Sequence, residues 1–361
     1  MASVARQLLP APLGGRGRAF VAGSALFATI VVVPVTGPRA ADGSPSGSVT
    51  IASETYLGWP DTYTLDNGLV RVRVVTAIGP RIVELSLANG KNLLYVRGEE
   101  TGGSAEEDWM FRGGWRLWVS PERKETTYAL DNTACEAEIV DRNTLRVTAP
   151  AQDEARIRKQ IDVRLQAGEP RLRLTSRIRN VGTIPLSYAA WSLSVLRPGG
   201  RAFVPLDVGP LTAFDAIRRL ILWSYTEIDD PRYRFGNRLI QIDHTRAQKP
   251  APNQPGRRDD ESKIGVDSAQ GWAAYLLDGT LYLKRFPHDR EGEYPDGGAT
   301  VEIYSSHEFL ELENLGPLTA VAPGEEIVYS EDWWLFPEVR VRSSESEALA
   351  DLQRYLDASG E

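Results

Sequence analysis

The chain has 361 residues, 42% of them hydrophobic, and a formal charge of −8. That is enough apolar material for one large core, and the acidic balance argues against nucleic acid and anionic lipid as partners. Cys135 is the only cysteine, which excludes an intramolecular disulfide and removes the cysteine-based zinc patterns.

The first segment, 1–41, holds Arg6, Arg16, Arg18 and Arg39 and no acid. Phe20–Val35 (FVAGSALFATIVVVPV) is apolar, and small residues follow at Ala40 and Ala41. A basic start, a short apolar run and small residues describe a secretory signal. Pro38 or Arg39 falls where cleavage prefers a small residue, so an uncleaved N-terminal anchor is the alternative. The run is short for a spanning helix and Pro34 interrupts it. Either way the body is expected to be exported: periplasmic, secreted, or anchored facing outside the cytoplasm. Loss of the four arginines takes the formal charge to about −12. Residues 42–50 read as a flexible linker, 51–342 as one β domain, and 343–361 as a C-terminal helix and tail.

Period-two alternation dominates the body. Strands are expected at Leu69–Val75 and Arg81–Leu87, the latter turning at Asn89-Gly90 into Asn92–Val96 as a hairpin. Glu136–Val140 and Thr144–Thr148 follow. Arg156–Leu165 and Arg171–Arg179, joined by Ala167-Gly168-Glu169-Pro170, should form an antiparallel pair. Further strands are expected at Leu186–Leu196, Arg219–Tyr225, Leu239–Asp243, Trp272–Leu277, Thr280–Phe286, Thr300–Ser305 and Ile327–Trp334. Many strands with Gly/Pro turns indicate an all-β sandwich of large antiparallel sheets. The Pro-rich, charged stretch His244–Lys263 reads as a long surface loop. At the end, Ser344 and Glu347 fit a capping box, and Leu349, Leu352, Tyr355 and Leu356 form an apolar stripe.

Within this frame Phe309–Leu318 (FLELENLGPL) is the most telling stretch. On a strand, Leu310 and Leu312 share one face, while Phe309, Glu311 and Glu313 share the other. Two carboxylates on one face of an apolar strand need water, a cation or a ligand. The alternative to an exposed strand face is a carboxylate site at the mouth of a β cavity. Trp109–Glu122 (WMFRGGWRLWVSPE) offers flat rings at Trp109, Trp115 and Trp118 and planar donor forks at Arg112 and Arg116. Sugars use both, the rings for C–H faces and the forks for hydroxyl oxygens; plain aromatic packing is the competing account. Trp191 is a cavity wall or a core residue. Asp229-Asp230-Pro231-Arg232 reads as a turn held by its own hydrogen bonds. Lys284, Arg285, His288 and Tyr294 cluster in sequence, and one of the two cations should face the glutamates. The remaining histidines are His244 and His307. No phosphate loop, serine-nucleophile motif, two-histidine metal motif or calcium loop is present, so neither metal nor cofactor is expected.

The blocks IGPRIVELSLANGKNLLY, GGWRLWVSPE, WSLSVLRPGG, YTEIDDPR, YLKRF with YPDGG, and FLELENLGPL together resemble the DUF4380 family of the galactose mutarotase-like (aldose 1-epimerase-like) superfamily. They run from about Asn67 to Trp334 and so span most of the body. The resemblance implies a β-supersandwich curving around a carbohydrate-sized cleft and a sugar or glycan as partner; the chain is expected to be a monomer. It implies Glu311 as the base that takes the anomeric proton, with Glu313 the alternative, and Arg112 or Arg116 as the sugar-binding arginine. Trp118, Trp191, Arg285 and Tyr294 complete the expected substrate-binding set. The strand around Trp191 carries no histidine and Trp115 stands where one is common, so the acid would be Lys284, Tyr294 or His288. Three functions follow: an aldose epimerase-like isomerase, a carbohydrate-binding module without catalysis, and a glycan-cleaving enzyme using Glu311 and Glu313 as a pair.

Overall fold

In a strand, alternate residues face opposite ways, so a sequence such as Val70–Val75 (VRVRVV) must place one face on a core. The computed structural model describes residues 47–209, 214, 216–247 and 260–360. The expected leader, the first part of the linker and most of the Pro-rich stretch after His244 lie outside the described residues. The strands in chain order are β1 (Thr50–Tyr56), β2 (Trp59–Asp66), β3 (Val70–Val75), β4 (Arg81–Leu87), β5 (Trp115–Ser120), β6 (Glu136–Asp141), β7 (Thr144–Gln152), β8 (Ile157–Leu165), β9 (Arg171–Asn180) and β10 (Leu186–Leu196). There follow β11 (Arg201–Pro205), β12 (Leu220–Leu222), β13 (Tyr233–Phe235), β14 (Leu239–Asp243), β15 (Ser262–Val266), β16 (Trp272–Leu277), β17 (Thr280–Arg285), β18 (Val301–Ser305), β19 (Leu310–Leu315), β20 (Thr319–Val321) and β21 (Glu326–Phe336). Among the described residues there are two α-helices, α1 (Lys124–Thr127) and α2 (Glu345–Ala358).

The strands form two large antiparallel sheets. One runs β1-β2-β3-β4-β5-β10-β19-β18-β15-β12, with β20 also on β10; the other runs β13-β14-β11-β16-β17-β21-β9-β8-β7-β6. The expected β8–β9 pair is present, Ile161 lying opposite Ser176. The main core joins residues of both sheets, among them Trp115, Ile303, Leu310 and Leu312 from the first and Ile161, Leu174, Tyr282 and Trp333 from the second. The all-β sandwich expected from alternation is therefore the observed architecture. No helix among the described residues is long and apolar enough to cross a membrane.

Asn92–Val96 does not form the expected hairpin strand. The Asn92 side chain takes the place of a backbone ladder, accepting from the Leu85 and Leu94 N–H groups and donating to the Val83 carbonyl. The chain then crosses to β10, where Tyr95 N–H donates to the Val195 carbonyl. The proposed loop also ends early, because Lys263 lies within β15 rather than beyond it. The alternation of β15 is masked by Gly265 and by the polar residues at its start.

Helix α2 packs Ala348, Leu352 and Tyr355 onto Phe203, Trp272, Leu283 and Trp334, on the outer face of the second sheet. Ser344 is its N-cap, but its hydroxyl donates to the Glu347 carboxylate rather than capping a backbone N–H. Arg285 closes the other end, donating to the Leu356 carbonyl at 2.6 Å and to Ser359 Oγ at 3.0 Å. This corrects its expected role in substrate binding: a cation at a helix C-terminus satisfies carbonyls that the helix leaves open. Leu352→Ala should cost about 2–5 kcal/mol through the cavity it leaves. Urea unfolding of the two proteins reads this directly.

Candidate functional site

The site begins with two glycines. Gly113 and Gly114 have φ values of 79° and 75°, in the region that side chains disfavour. A Cβ on Gly113 would strike the Tyr95 carbonyl, and one on Gly114 the Ile82 carbonyl. The bend they allow delivers β5 to its place between β4 and β10. Trp115 then faces the inter-sheet core, donating to Ser192 Oγ at 2.7 Å. Arg116 and Trp118 face the other way.

On that opposite face the strand registers bring together residues far apart in sequence. Arg116 lies opposite Leu193, and Trp118 opposite Trp191. Glu313 lies opposite Leu193 and Glu302, while Glu311 lies opposite Val195 and Tyr304. Tyr304 in turn lies opposite Lys263. Leu310 and Leu312 point into the core, as alternation along FLELENLGPL requires.

Arg116 Nη2 donates to Glu311 Oε1 at 2.8 Å. The two residues are only 3% and 8% exposed. The guanidinium carbon lies 4.2 Å from the Trp118 ring centre, 5.1 Å from Phe111 and 5.8 Å from Trp109. Trp109 packs on Trp118 and edge-on to Tyr128, and Phe111 stacks on Phe309 at 4.7 Å. Arg116 Nε and Nη1 and Trp109 Nε1 are buried without a hydrogen-bond partner. Unpaired buried donors are costly; two of these belong to the guanidinium that meets Glu311.

A second charged group adjoins the first. Lys263 Nζ lies 2.6 Å from Glu302 Oε2 and 3.1 Å from Glu313 Oε2. It also sits 4.8 Å from the ring centres of Trp191 and Trp223. Trp191 Nε1 donates to Glu313 Oε2 at 2.8 Å. Lys263, Glu302 and Glu313 are 5%, 0% and 1% exposed. Burial pushes Glu302 well above the usual carboxylate range, and Lys263 offsets only part of this. Burial also raises Glu313, against Lys263 and with Glu311 adding repulsion. For Lys263 burial favours the neutral amine, but the two carboxylates outweigh it and its pKa lies well above the lysine norm.

The structure thus unites Glu311, Glu313, Arg116, Trp118 and Trp191. The other expected residues lie elsewhere. Arg112, turned by a positive φ of 56°, donates to Glu106 and to the Gly103 carbonyl, so it ties down its own loop. Lys284 belongs to the second sheet and lies between the sheets, 3.3 Å from Glu331 and 3.2 Å from Ser192 Oγ. Ser192 is on the face of β10 opposite to Trp191 and Leu193, so Lys284 does not meet Glu311; burial lowers its pKa. His288 pairs with Asp267 at 3.1 Å and stacks on Tyr294 at 5.4 Å. The Tyr294 hydroxyl accepts from the Asp289 N–H. His307 pairs with Asp260, and His244 accepts from the Gly199 N–H. The Asp229–Arg232 segment is the self-bonded turn expected, with Arg232 on Asp230.

Sequence reasoning missed Lys263 and Glu302. The signal was a charged residue at an interior position of a short apolar strand, Glu302 in VEIYS and Lys263 in SKIGV. Two surface hollows of about 570 and 510 Å³ lie elsewhere, beside Arg142 and Arg164 and beside Tyr63 and Cys135. Neither has converging opposite charges and aromatic faces, so the chemistry points to the β5-β10-β19-β18-β15 face.

The raised pKa values carry a sign. A carboxyl whose folded pKa exceeds its unfolded value adds stability below the unfolded value, about 4.3 for glutamate. That contribution is lost as pH rises through the folded value. Glu302→Gln removes the effect, so its stability should improve relative to the parent as pH rises from about 4 towards neutrality. Urea unfolding of both proteins across that range gives the difference.

The sequence matches no family model and no curated protein. Among solved structures the fold is similar to the Slr1438 protein from Synechocystis sp. PCC 6803, at 14% identity and a TM-score of 0.50, over 80% of this chain and 100% of that one. It is also similar to a "putative aldose 1-epimerase" from Klebsiella pneumoniae subsp. pneumoniae MGH 78578, at 10% identity and a TM-score of 0.50, over 87% and 88% of the two chains. A galactose mutarotase-like protein from Clostridium acetobutylicum matches at 11% identity and a TM-score of 0.48, over 80% and 99%. At these identities the likeness speaks for the fold alone.

Proposed function

We propose that this chain binds a sugar on the face formed by β5, β10, β19, β18 and β15, and acts there as an aldose epimerase-like isomerase. The observation that carries this reading is the meeting of the Arg116–Glu311 pair with Trp109, Trp118 and Phe111. The rings suit sugar C–H faces. The two free donors of Arg116 suit hydroxyl oxygens. Glu311 is the base for the anomeric proton, a role that needs it within hydrogen-bond reach of the ligand. We assign the chain to the DUF4380 family on the six sequence blocks that resemble it, and we take residues 1–41 as an export signal or anchor.

A specific observation favours the second reading, a binding protein without catalysis: neither Lys284 nor His288 stands on the Glu311 face. The glycan-cleaving reading is weaker, because Glu311 and Glu313 neighbour each other on one strand, and a glycosidic bond needs its two carboxyls on opposite sides.

The test is a monosaccharide and oligosaccharide binding screen on the body of the protein, followed by NMR measurement of anomer exchange on any ligand found. The isomerase reading expects accelerated exchange that falls by about 10²–10⁴-fold in Glu311→Gln. Binding without acceleration, retained in Glu311→Gln, selects the binding protein. Absence of any sugar binding overturns both. For export, cell fractionation should find the full chain outside the cytoplasm and a chain lacking residues 1–41 inside it.

A further inference from the structure

The Arg116–Glu311 pair and the Lys263 group together hold three carboxyls and two cations on one buried face. With every group ionised this leaves one negative charge in excess, away from water. The excess resides beside Lys263, which alone answers Glu302 and Glu313. The groups acting on these two acids are Lys263 from β15, Glu311 along β19, the Trp191 N–H from β10, and Asp296 from a neighbouring loop, while Tyr225 acts on Lys263. Only Lys263 among them is a cation, and Asp296 and Glu311 add repulsion. Two buried carboxylates that share one cation are relieved by binding one proton.

We propose that Glu302 and Glu313 share a single proton beside Lys263, and that Glu313 presents it as the acid that works opposite Glu311. This rests on the sugar-isomerase reading and supplies the donor that Lys284 and His288 do not. Glu313 Oε2 is taken by Trp191 and Lys263, at 2.8 and 3.1 Å, while its Oε1 is buried and has no partner. Both oxygens of Glu302 are likewise buried without a hydrogen-bond partner, so the two carboxyls share the proton and, on Glu313, Oε1 is the oxygen open to it. Glu311 and Glu313 are two residues apart on one strand face, about 7 Å along the backbone. In the reaction Glu311 takes the anomeric hydroxyl proton and the O–H electron pair becomes the second C–O bond of an aldehyde. The bond from the anomeric carbon to the ring oxygen breaks, and that oxygen takes the proton of Glu313. Rotation and reclosure on the other face return both protons, so the carboxyls end as they began. Glu302 and Lys263 are positioning residues that set the proton affinity of Glu313.

The proton is tested on the ligand-free full chain by NMR of ¹³C-carboxyl-labelled glutamate. One neutral carboxyl signal is expected near pH 7 in the folded protein. It should vanish in Glu302→Gln and in Glu313→Gln, since each variant leaves one acid for one lysine. Ionised signals for all glutamates of the wild-type protein would overturn the proposal. The role is tested by anomer exchange of D-glucose and D-galactose. Glu313→Gln should lose about 100-fold or more at every pH, whereas Glu302→Gln should lose activity near pH 7 and regain it at lower pH. Exchange in Glu313→Gln equal to wild type overturns the acid role. If the neutral signal is present but wild-type protein neither binds nor exchanges either sugar, the sugar reading and the acid role fall and the shared proton stands.

Discussion

Placing five ionisable side chains on a water-poor face of a β-sheet is the constraint around which this molecule is arranged. An isolated ion moved into a protein interior loses hydration worth several kcal/mol even after relaxation. Arg116, Glu311, Lys263, Glu302 and Glu313 escape that cost by meeting one another across four strands. Their meeting depends on register: a slip of one residue in β19 would turn Glu311 and Glu313 into the core and Leu310 and Leu312 out of it. The core and the site are therefore specified by the same alternation.

Aromatic rings complete the arrangement. Trp191 and Trp223 flank Lys263, and Trp118, Phe111 and Trp109 surround Arg116. Rings give a cation an attractive face at little cost in side-chain freedom. They also exclude water, which strengthens the charge pairs beside them. The same rings make the face suited to a ligand with both C–H and hydroxyl surfaces. Which carboxyl of such a face holds a proton is set by the count of cations around each one.

Much of this was legible in the chain. The alternation that places Glu311 and Glu313 together survives intact in β19, because a strand's period needs no tertiary information. The Gly113-Gly114 bend is equally local, but Trp115, grouped with the rings expected to face a sugar, turns into the core between the sheets. Arg112 was misread because a positive φ turned it towards Glu106, and backbone sign at a non-glycine residue leaves little trace in sequence. Arg285 was misread because its partner is the end of a helix some seventy residues away.

The sequence by itself determined the all-β class, the faces of β19 and the aromatic-arginine block, since each follows from local periodicity and residue chemistry. Tertiary structure decided which cation meets which carboxylate. Lys284 and Lys263 are both buried lysines on strands, yet one lies between the sheets on Glu331 and the other joins Glu302 and Glu313 on the opposite face. Nothing within either strand distinguishes them. The distinction comes from strand order and sheet pairing, which set the neighbours of a side chain through contacts distant in sequence.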